Sequence, residues 1–207
     1  MKKIPTVFKR DPDDMKRVLP EVNPECQWVL DGKGVATRKY DGTCVGYFPV
    51  VKGEPRISGG VGSGGIDEAA DLTGAWLARR EVKPGKTPPP NYIPVETDPN
   101  THKTMGWEPI EQSSFVAAFN EAVDIIGEDP YFGTYELCGP KINGNPEGYI
   151  GHILVRHSDA ELVRPFGLMF ESLRETMLLV LKPEGAEGLV WHHPDGRMAK
   201  LKVRDFA

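Results

Sequence analysis

The sequence predicts an α+β fold, on the evidence of two repeating patterns and the composition. Several short segments have the two-residue alternation of half-buried strands, and two longer segments repeat apolar residues every three or four positions, as helices do. Glycine contributes 23 and proline 19 of the 207 residues, which indicates many loops. Because this length suits one domain with its own core, we predict a single domain over residues 1–207.

The N-terminal half is predicted to contain strands and long loops. Residues 1–34 are rich in proline and charge and are expected to form an irregular lead-in. The later elements are strands at 35–40, at 44–51 and near Arg56, a turn at 52–55, a flexible glycine-rich loop at 58–65, and a long loop at 83–110. The glycine-rich run lacks the Gly-Lys-Ser/Thr ending of a P-loop, so it is not predicted to hold phosphate.

The C-terminal half is predicted to alternate helices and strands. One helical stripe, closed by Gly127, consists of Val116, Phe119, Val123 and Ile126. A second stripe, ended by Pro183 and interpreted as core, consists of Phe166, Met169, Phe170, Leu173, Met177 and Leu181. The predicted strands of this half are 134–138, 150–157, 189–191 and 200–202.

Lys39 is the first candidate functional residue. It begins the segment Lys-Tyr-Asp-Gly at 39–42, between two apolar strands. A lysine becomes a nucleophile when burial or a neighbouring cation lowers its pKa, and the Asp41-Gly42 turn would let the backbone approach a phosphate. A solvated lysine beside an Asp-Gly turn is the ordinary alternative for so short a motif.

Four charged residues in the C-terminal half are the other candidates. Strand periodicity places Glu136 on the face opposite Tyr135 and Leu137, where it would face a cleft. Lys200 and Lys202 share one face, and an anion such as an α-phosphate would relieve their repulsion. Glu187 precedes a buried strand and would be placed to bind Mg²⁺ through its carboxylate. An exposed strand carboxylate, a basic edge strand and a turn residue are the alternatives.

Together these segments resemble nucleotidyl motifs I, III, IV and V of the ATP-dependent polynucleotide ligases and mRNA capping enzymes. The matching segments, in the family's order, are Lys39–Gly42, Thr134–Gly139, Glu187–Trp191 and Ala199–Val203. The resemblance spans residues 35–205, with no match between the first two motifs. It implies an adenylation domain in which antiparallel sheets flanked by helices surround an ATP cleft.

Three features make the chain most similar to the small single-domain 5′-to-3′ RNA ligases. Thr43-Cys44 stands where DNA ligases and capping enzymes have an arginine, which is similar to RNA ligases, and the chain ends at Ala207 without a predicted OB-fold domain. The stretch Glu136–Gly148 also resembles these small ligases. The resemblance implies catalysis by Lys39, Asp41, Glu136, Glu187, Lys200 and Lys202, with nucleotide contacts from Arg38, Gly42, Arg56, Lys200 and Lys202. It also implies ATP as cosubstrate, and Mg²⁺ or Mn²⁺ held by Glu187, Asp41 and Glu136. Arg38 departs from the family pattern, which has a glutamate before the nucleophile.

The expected partners are RNA ends that carry a 5′-phosphate and a 3′-hydroxyl. Since the net charge is −5, RNA binding must depend on a local basic patch, for which the candidates are Arg79, Arg80, Lys83 and Lys86. Trp107 is expected either to stack on an RNA base or to anchor packing. The function left open as an alternative is a minimal DNA ligase, a guanylyltransferase, a nucleotide- or RNA-end-binding module, or a protein AMPylator.

The remaining sequence features concern cysteines, histidines and compartment. Cys26, Cys44 and Cys138 lack disulfide or metal spacing and are expected to be reduced core residues. The histidines at 152, 157 and 192–193 lack the further ligands of a zinc site, so no transition metal is predicted. Without an apolar run of signal-peptide or membrane-spanning length, the expected protein is a cytoplasmic monomer.

Overall fold

The computed structural model describes residues 3–57, 73–127 and 130–206 and has an α+β architecture with mostly antiparallel sheets. In chain order its strands are β1 (Phe8–Arg10), β2 (Val18–Val22), β3 (Val35–Lys39), β4 (Thr43–Val51), β5 (Glu54–Pro55), β6 (Gly74–Val82), β7 (Ile93–Thr97), β8 (Thr104–Pro109), β9 (Gly133–Cys138), β10 (Ile153–Arg156), β11 (Gly188–His192) and β12 (Met198–Lys202). The α-helices are α1 (Gln27–Leu30), α2 (Val116–Ile126) and α3 (Phe170–Glu175). The predicted glycine-rich loop at 58–65 lies outside the described residues.

The described chain divides into two compact units. The first comprises Gly42–Asn145 and Tyr149–Ser158, and the second comprises Lys3–Asp41, Pro146–Gly148 and Asp159–Ala207. Each unit has buried apolar residues of its own, and each is described separately below.

The first unit is built on one large sheet. Within its described residues the strand order is β10-β9-β4-β6-β8-β7, with β5 paired to β4, and all these pairs are antiparallel. Helix α2 covers β9 and β10, and its apolar face packs on Val45, Tyr135 and Leu137. The predicted stripe of α2 and its end at Gly127 are confirmed, since Gly127 has φ +89°.

The second unit contains a small sheet that carries most of the predicted motifs. Among its described residues, β3, β11 and β12 form an antiparallel sheet with β11 in the middle, and β1 pairs with β2. The core of this unit includes Leu189 and Leu201 from the sheet and Leu173, Met177 and Leu181 from the C-terminal helical segment. The prediction that Leu201 is core while its two lysine neighbours lie on the other face is confirmed.

Two predictions about the elements need correction, and the alternative left open for Trp107 is decided in favour of packing. The long loop expected at 83–110 contains β7 and β8, which pair as an antiparallel hairpin. Trp107 is 1% exposed and meets Phe48 edge-to-face at 5.0 Å, so it anchors packing and is not available to stack on a base. The lead-in at 1–34 is not irregular, because it contains β1 and β2, and Phe8 of β1 is buried in the second core.

The second helical stripe is correct only in its later part. Leu173, Met177 and Leu181 are buried, but α3 begins at Phe170, and a π-helical segment follows over Thr176–Leu181. Phe166 and Met169 precede the helix and are 62% and 70% exposed. Because both residues are apolar and have helical spacing, the sequence placed them in the stripe. The helix begins only after them, at Phe170.

The three cysteines are core residues, as the sequence indicated. Cys26, Cys44 and Cys138 are buried and form no disulfide, and burial raises the pKa of the Cys26 thiol to about 11. Within the described residues, no helix has both the length and the hydrophobicity that a membrane crossing requires.

Candidate active site

The small sheet of the second unit places two of the predicted lysines on either side of one residue. In the register of β3, β11 and β12, Lys39 is aligned with Gly188 from one side and Lys202 from the other. Directly opposed residues of antiparallel strands present their side chains on the same face. Both lysines therefore rise from one face of the sheet, and Gly188 leaves the position between them open.

Gly188 is required by the close approach of β11 and β12. Its φ is +156°, and a Cβ at this position would collide with the carbonyl oxygen of Leu201. Any side chain here would push the two strands apart. A glycine directly after Glu187 is therefore part of the local geometry that places the carboxylate.

Glu187 bridges the two lysines. Its Oε2 accepts a hydrogen bond from Lys39 Nζ, and its Oε1 accepts one from Lys202 Nζ. The three side chains are 13–20% exposed. The Glu187 backbone is fixed as well, because its N–H donates to the carbonyl of Lys39 at 3.0 Å and its carbonyl accepts from Val203 at 2.8 Å.

The charge state of Glu187 follows from these neighbours. Burial alone would raise the pKa of its carboxyl group, since burial disfavours the charged form. The ammonium groups of Lys39 and Lys202 outweigh burial and hold the pKa below its ordinary value. These neighbours therefore favour the ionised form of the Glu187 carboxyl group.

Lys200 lies on the same strand face as Lys202, two residues earlier. It is aligned with Val190, which is aligned in turn with Thr37 of β3. Its backbone is held on both sides, since its N–H donates to Pro5 and its carbonyl accepts from Val7. The structure thus brings Lys39, Lys200 and Lys202 onto one sheet, with Glu187 directly before its central strand.

Asp205 is a member of this region that sequence reasoning missed. Its carboxylate is 1% exposed, and Oδ2 accepts the backbone N–H of Lys202 at 2.8 Å. Its Oδ1 pairs with Arg10 Nη1 at 2.7 Å. A buried ion pair therefore fixes the end of β12 where Lys202 lies. Arg10 and Asp205 are separated by 195 positions in the sequence, so no local pattern indicates this contact.

Arg38 is directed away from Lys39. It is aligned with Leu189, one position out of phase with the lysines, and its guanidinium bonds Glu147 Oε2 at 2.8 Å and Glu184 Oε2 at 3.0 Å. The structure does not bring Arg38 together with the lysine pair. Its predicted contact with the nucleotide stays a prediction.

Glu147 is the second residue that the sequence did not reveal. Its side chain is 3% exposed, and while Oε2 holds Arg38, Oε1 accepts the backbone N–H of Asp41 at 3.2 Å. One carboxylate therefore ties the residues on both sides of Lys39. Glu147 lies in a turn-rich segment, Asn143–Gly148, and its partners are more than 100 residues away. The short motif at 39–42 gives no indication of these contacts with Glu147.

Three of the predicted residues belong to the first unit. A Cβ at Gly42 would collide with the carbonyl oxygen of Leu137, so close packing against β9 is one reason for glycine there. Arg56 is exposed just after β5, and its N–H donates to the carbonyl of Pro49 at 2.8 Å. Glu136 is 9% exposed, and its Oε2 lies within hydrogen-bonding distance of His157 Nε2, at 2.9 Å.

The predicted basic patch also lies in the first unit. Arg79 and Arg80 are on β6, and Lys83 and Lys86 follow it. The two lysines line a surface groove of about 680 Å³ together with Tyr92 and His102. Part of the predicted patch therefore lines this groove, and RNA binding by the patch stays a prediction.

Comparison with known proteins gives no independent guide to function. No protein-family model matches the chain, and no curated protein sequence matches it significantly. The functional interpretation therefore depends on the motifs and on the geometry described above.

Proposed function

We propose that this protein is an ATP-dependent RNA ligase that joins 5′-phosphate and 3′-hydroxyl RNA ends through AMP attached to Lys39. The observation that supports this most is the bridge from Lys39 through Glu187 to Lys202 on one sheet face. A partly buried lysine held by one carboxylate beside a second cation suits an amine that attacks phosphorus. An ordinary surface lysine has no need of such an arrangement.

In the first step, Lys39 Nζ forms a bond to the α-phosphorus of ATP while the bond to the pyrophosphate oxygen breaks. Attack requires the neutral amine, so the Lys39 ammonium gives up a proton before the bond to phosphorus is complete. Glu187 Oε2 aligns Nζ and is the base within hydrogen-bond reach of its proton. Lys200 and Lys202 supply positive charge where negative charge grows on the α-phosphate oxygens.

The later steps transfer the AMP and release it. A 5′-phosphate oxygen of RNA attacks the phosphorus of lysyl-AMP and restores the free amine of Lys39. A 3′-hydroxyl then attacks the activated 5′-phosphate, and AMP leaves as the phosphodiester forms. Both steps are mostly a matter of position and charge, which Glu187 and the lysine pair can supply.

The residues present fit Mg²⁺, or Mn²⁺, as the accompanying ion. Glu187 offers a charged carboxylate at the start of β11, and Mg²⁺ commonly binds one or two carboxylates together with substrate phosphates. When bound, the ion would neutralise phosphate charge. Asp41 is a further carboxylate of the second unit that we assign to this role from the motif resemblance. The predicted contribution of Glu136, which is paired with His157 in the first unit, stays a prediction.

The proposal is tested by incubating the protein with ATP labelled at the α-phosphate and Mg²⁺, followed by a denaturing gel. We expect wild-type protein to retain label and Lys39→Ala to retain none. Lys33→Ala is the matched control, because Lys33 lies two residues before the start of β3, is 62% exposed and meets only the nearby Asp31 among its charged contacts in the structure described. It should label like wild type.

Addition of other nucleotides and of nucleic acids to the same assay then distinguishes the remaining alternatives. Loss of label on addition of 5′-phosphorylated RNA, with formation of a joined product, supports a ligase. Label from GTP in place of ATP would indicate a guanylyltransferase, and discharge by nicked DNA alone a minimal DNA ligase. Transfer of label to a second protein would indicate an AMPylator. If no nucleotide labels the folded protein, the proposal is wrong and a binding module replaces it.

A further inference from the structure

A second group of metal-ligating side chains lies in the first unit, where Cys44, Glu136 and His157 converge. Their ligand atoms all lie within 4.8 Å of one another. Cys44 and Glu136 are aligned across β4 and β9, and Glu136 is aligned with Val155 of β10, two residues before His157. Two adjacent strands therefore present a thiol and a carboxylate on one sheet face, and an imidazole joins them from the residue directly after the third strand.

We propose that Cys44, Glu136 and His157 bind Zn²⁺. Thiolate sulfur, imidazole nitrogen and carboxylate oxygen are the three ligand types that zinc uses in proteins, whereas Mg²⁺ prefers oxygen and disfavours sulfur. Cys44 and Glu136 are each 9% exposed, whereas the His157 side chain is 30% exposed, so two of the three ligands are largely screened from water.

The surroundings of His157 favour the same assignment. Its Nε2 lies 2.9 Å from Glu136 Oε2, and its Nδ1 lies 2.9 Å from Thr134 Oγ1. A metal-binding histidine usually donates its second ring N–H to an acceptor that fixes the tautomer and the ring orientation. Thr134 can accept that hydrogen bond, which leaves Nε2 to face the metal. Thr134 therefore lies where the acceptor that supports a histidine ligand would be.

Zinc binding here has a defined proton balance and coordination. The Cys44 thiol loses its proton to solvent as the zinc–sulfur bond forms, so affinity should rise with pH. Three protein ligands leave the fourth tetrahedral position for water or for an anionic group of a substrate. The site differs in ligand chemistry from the lysine-bridged carboxylate of Glu187, and the inference does not depend on the proposed ligase activity.

The experiment titrates chelator-treated full-length protein with Zn²⁺ by calorimetry in the presence of excess Mg²⁺, and with Co²⁺ by absorption spectroscopy. We expect one Zn²⁺ per chain and a thiolate-to-cobalt charge-transfer band. Cys44→Ser should lose the band, and His157→Gln should weaken zinc binding at least 100-fold, while Thr134→Val weakens it about 10-fold. Circular dichroism verifies that each variant is folded.

Cys138→Ser is the matched control, because Cys138 is a buried free thiol on the same strand as Glu136. It should keep both the zinc affinity and the cobalt band. The proposal is overturned if wild-type protein binds no zinc under Mg²⁺, if Cys44→Ser keeps the band, or if the band disappears in Cys138→Ser instead. None of these results depends on ATP, so failure here is distinguishable from failure of the labelling assay.

Discussion

At the scale of single residues, Glu187 determines where the two ammonium groups of the candidate site lie. Each of its carboxylate oxygens accepts from a different lysine, and its own backbone is bonded to Lys39 and Val203. The sequence predicted Glu187 and both lysines from motif order, but not that they share one carboxylate. Side-chain contacts across strands 148 residues apart leave no local pattern.

Glu187→Gln keeps the shape of this side chain and removes its charge. We expect adenylate formation to slow by about 100-fold, because the amide neither holds the Lys39 amine in line nor balances the two lysines. Single-turnover labelling with ATP measures this. Glu184→Gln, a nearby exposed carboxylate bonded to Arg38, is the control and should stay within a few-fold of wild type. Equal rates for Glu187→Gln and wild type would contradict the assigned role.

The pH dependence of stability follows from the same carboxylate. The lysines hold the Glu187 pKa below its ordinary value against the opposing effect of burial. The ionised Glu187 carboxylate therefore contributes fully to the free energy of unfolding above the pKa of about 4.3 that it has in the unfolded chain. This contribution is lost as the pH falls through the lower pKa of the folded state. Urea unfolding of wild type and Glu187→Gln should show a stability gap that narrows in acid. A gap independent of pH would contradict this ion-pair account.

At the scale of elements, strand periodicity predicted the site-bearing strands well. The predictions at 35–40, 44–51 and 134–138 match β3, β4 and β9 to within a residue or two at each end. Their apolar residues and the turn residues that bound them indicate strands, although β4 and β9 are buried on both faces over part of their length. The hairpin of β7 and β8 was missed since prolines and charges interrupt its alternation, and pairing with β6 supplies stability that no local pattern shows.

Gly188→Ala tests whether the spacing of β11 and β12 places the carboxylate. The new Cβ meets the Leu201 carbonyl, and we expect a cost of about 2 to 4 kcal/mol in the free energy of unfolding. Gly196→Ala in the turn between the same strands is the control, because its φ is also positive but its Cβ meets nothing within 4 Å. It should cost about 1 kcal/mol. Similar costs for both variants, measured by urea unfolding, would contradict the spacing argument.

At the scale of the whole molecule, the chain forms two units with separate cores, whereas the sequence indicated one domain by length. The second unit combines the N-terminal segment, Pro146–Gly148 and the C-terminal segment. Composition does not change at these boundaries, so the grouping depends on long-range pairing that the sequence does not display. Three of the four motif segments, at 39–42, 187–191 and 199–203, contribute residues to the small sheet or its ends, whereas the segment at 134–139 belongs to the first unit.

Core substitutions should affect mainly the unit in which they lie. Leu137 and Leu189 are each 0% exposed, in the first and the second core. Replacement of either by Ala should cost about 2 to 5 kcal/mol. Hydrogen exchange followed by mass spectrometry should then show faster exchange chiefly in the strands of the same unit. A uniform increase across both units from either variant would contradict this expectation.

The central claim is that Lys39 becomes covalently attached to AMP, and a peptide map tests it most directly. The full chain is incubated with ATP and Mg²⁺, digested, and analysed by fragmentation mass spectrometry. The account predicts AMP on Nζ of Lys39 in wild type and Lys33→Ala, and no adduct in folded Lys39→Ala. AMP on another residue with Lys39 unmodified, or no adduct at all on folded wild-type protein, would contradict it.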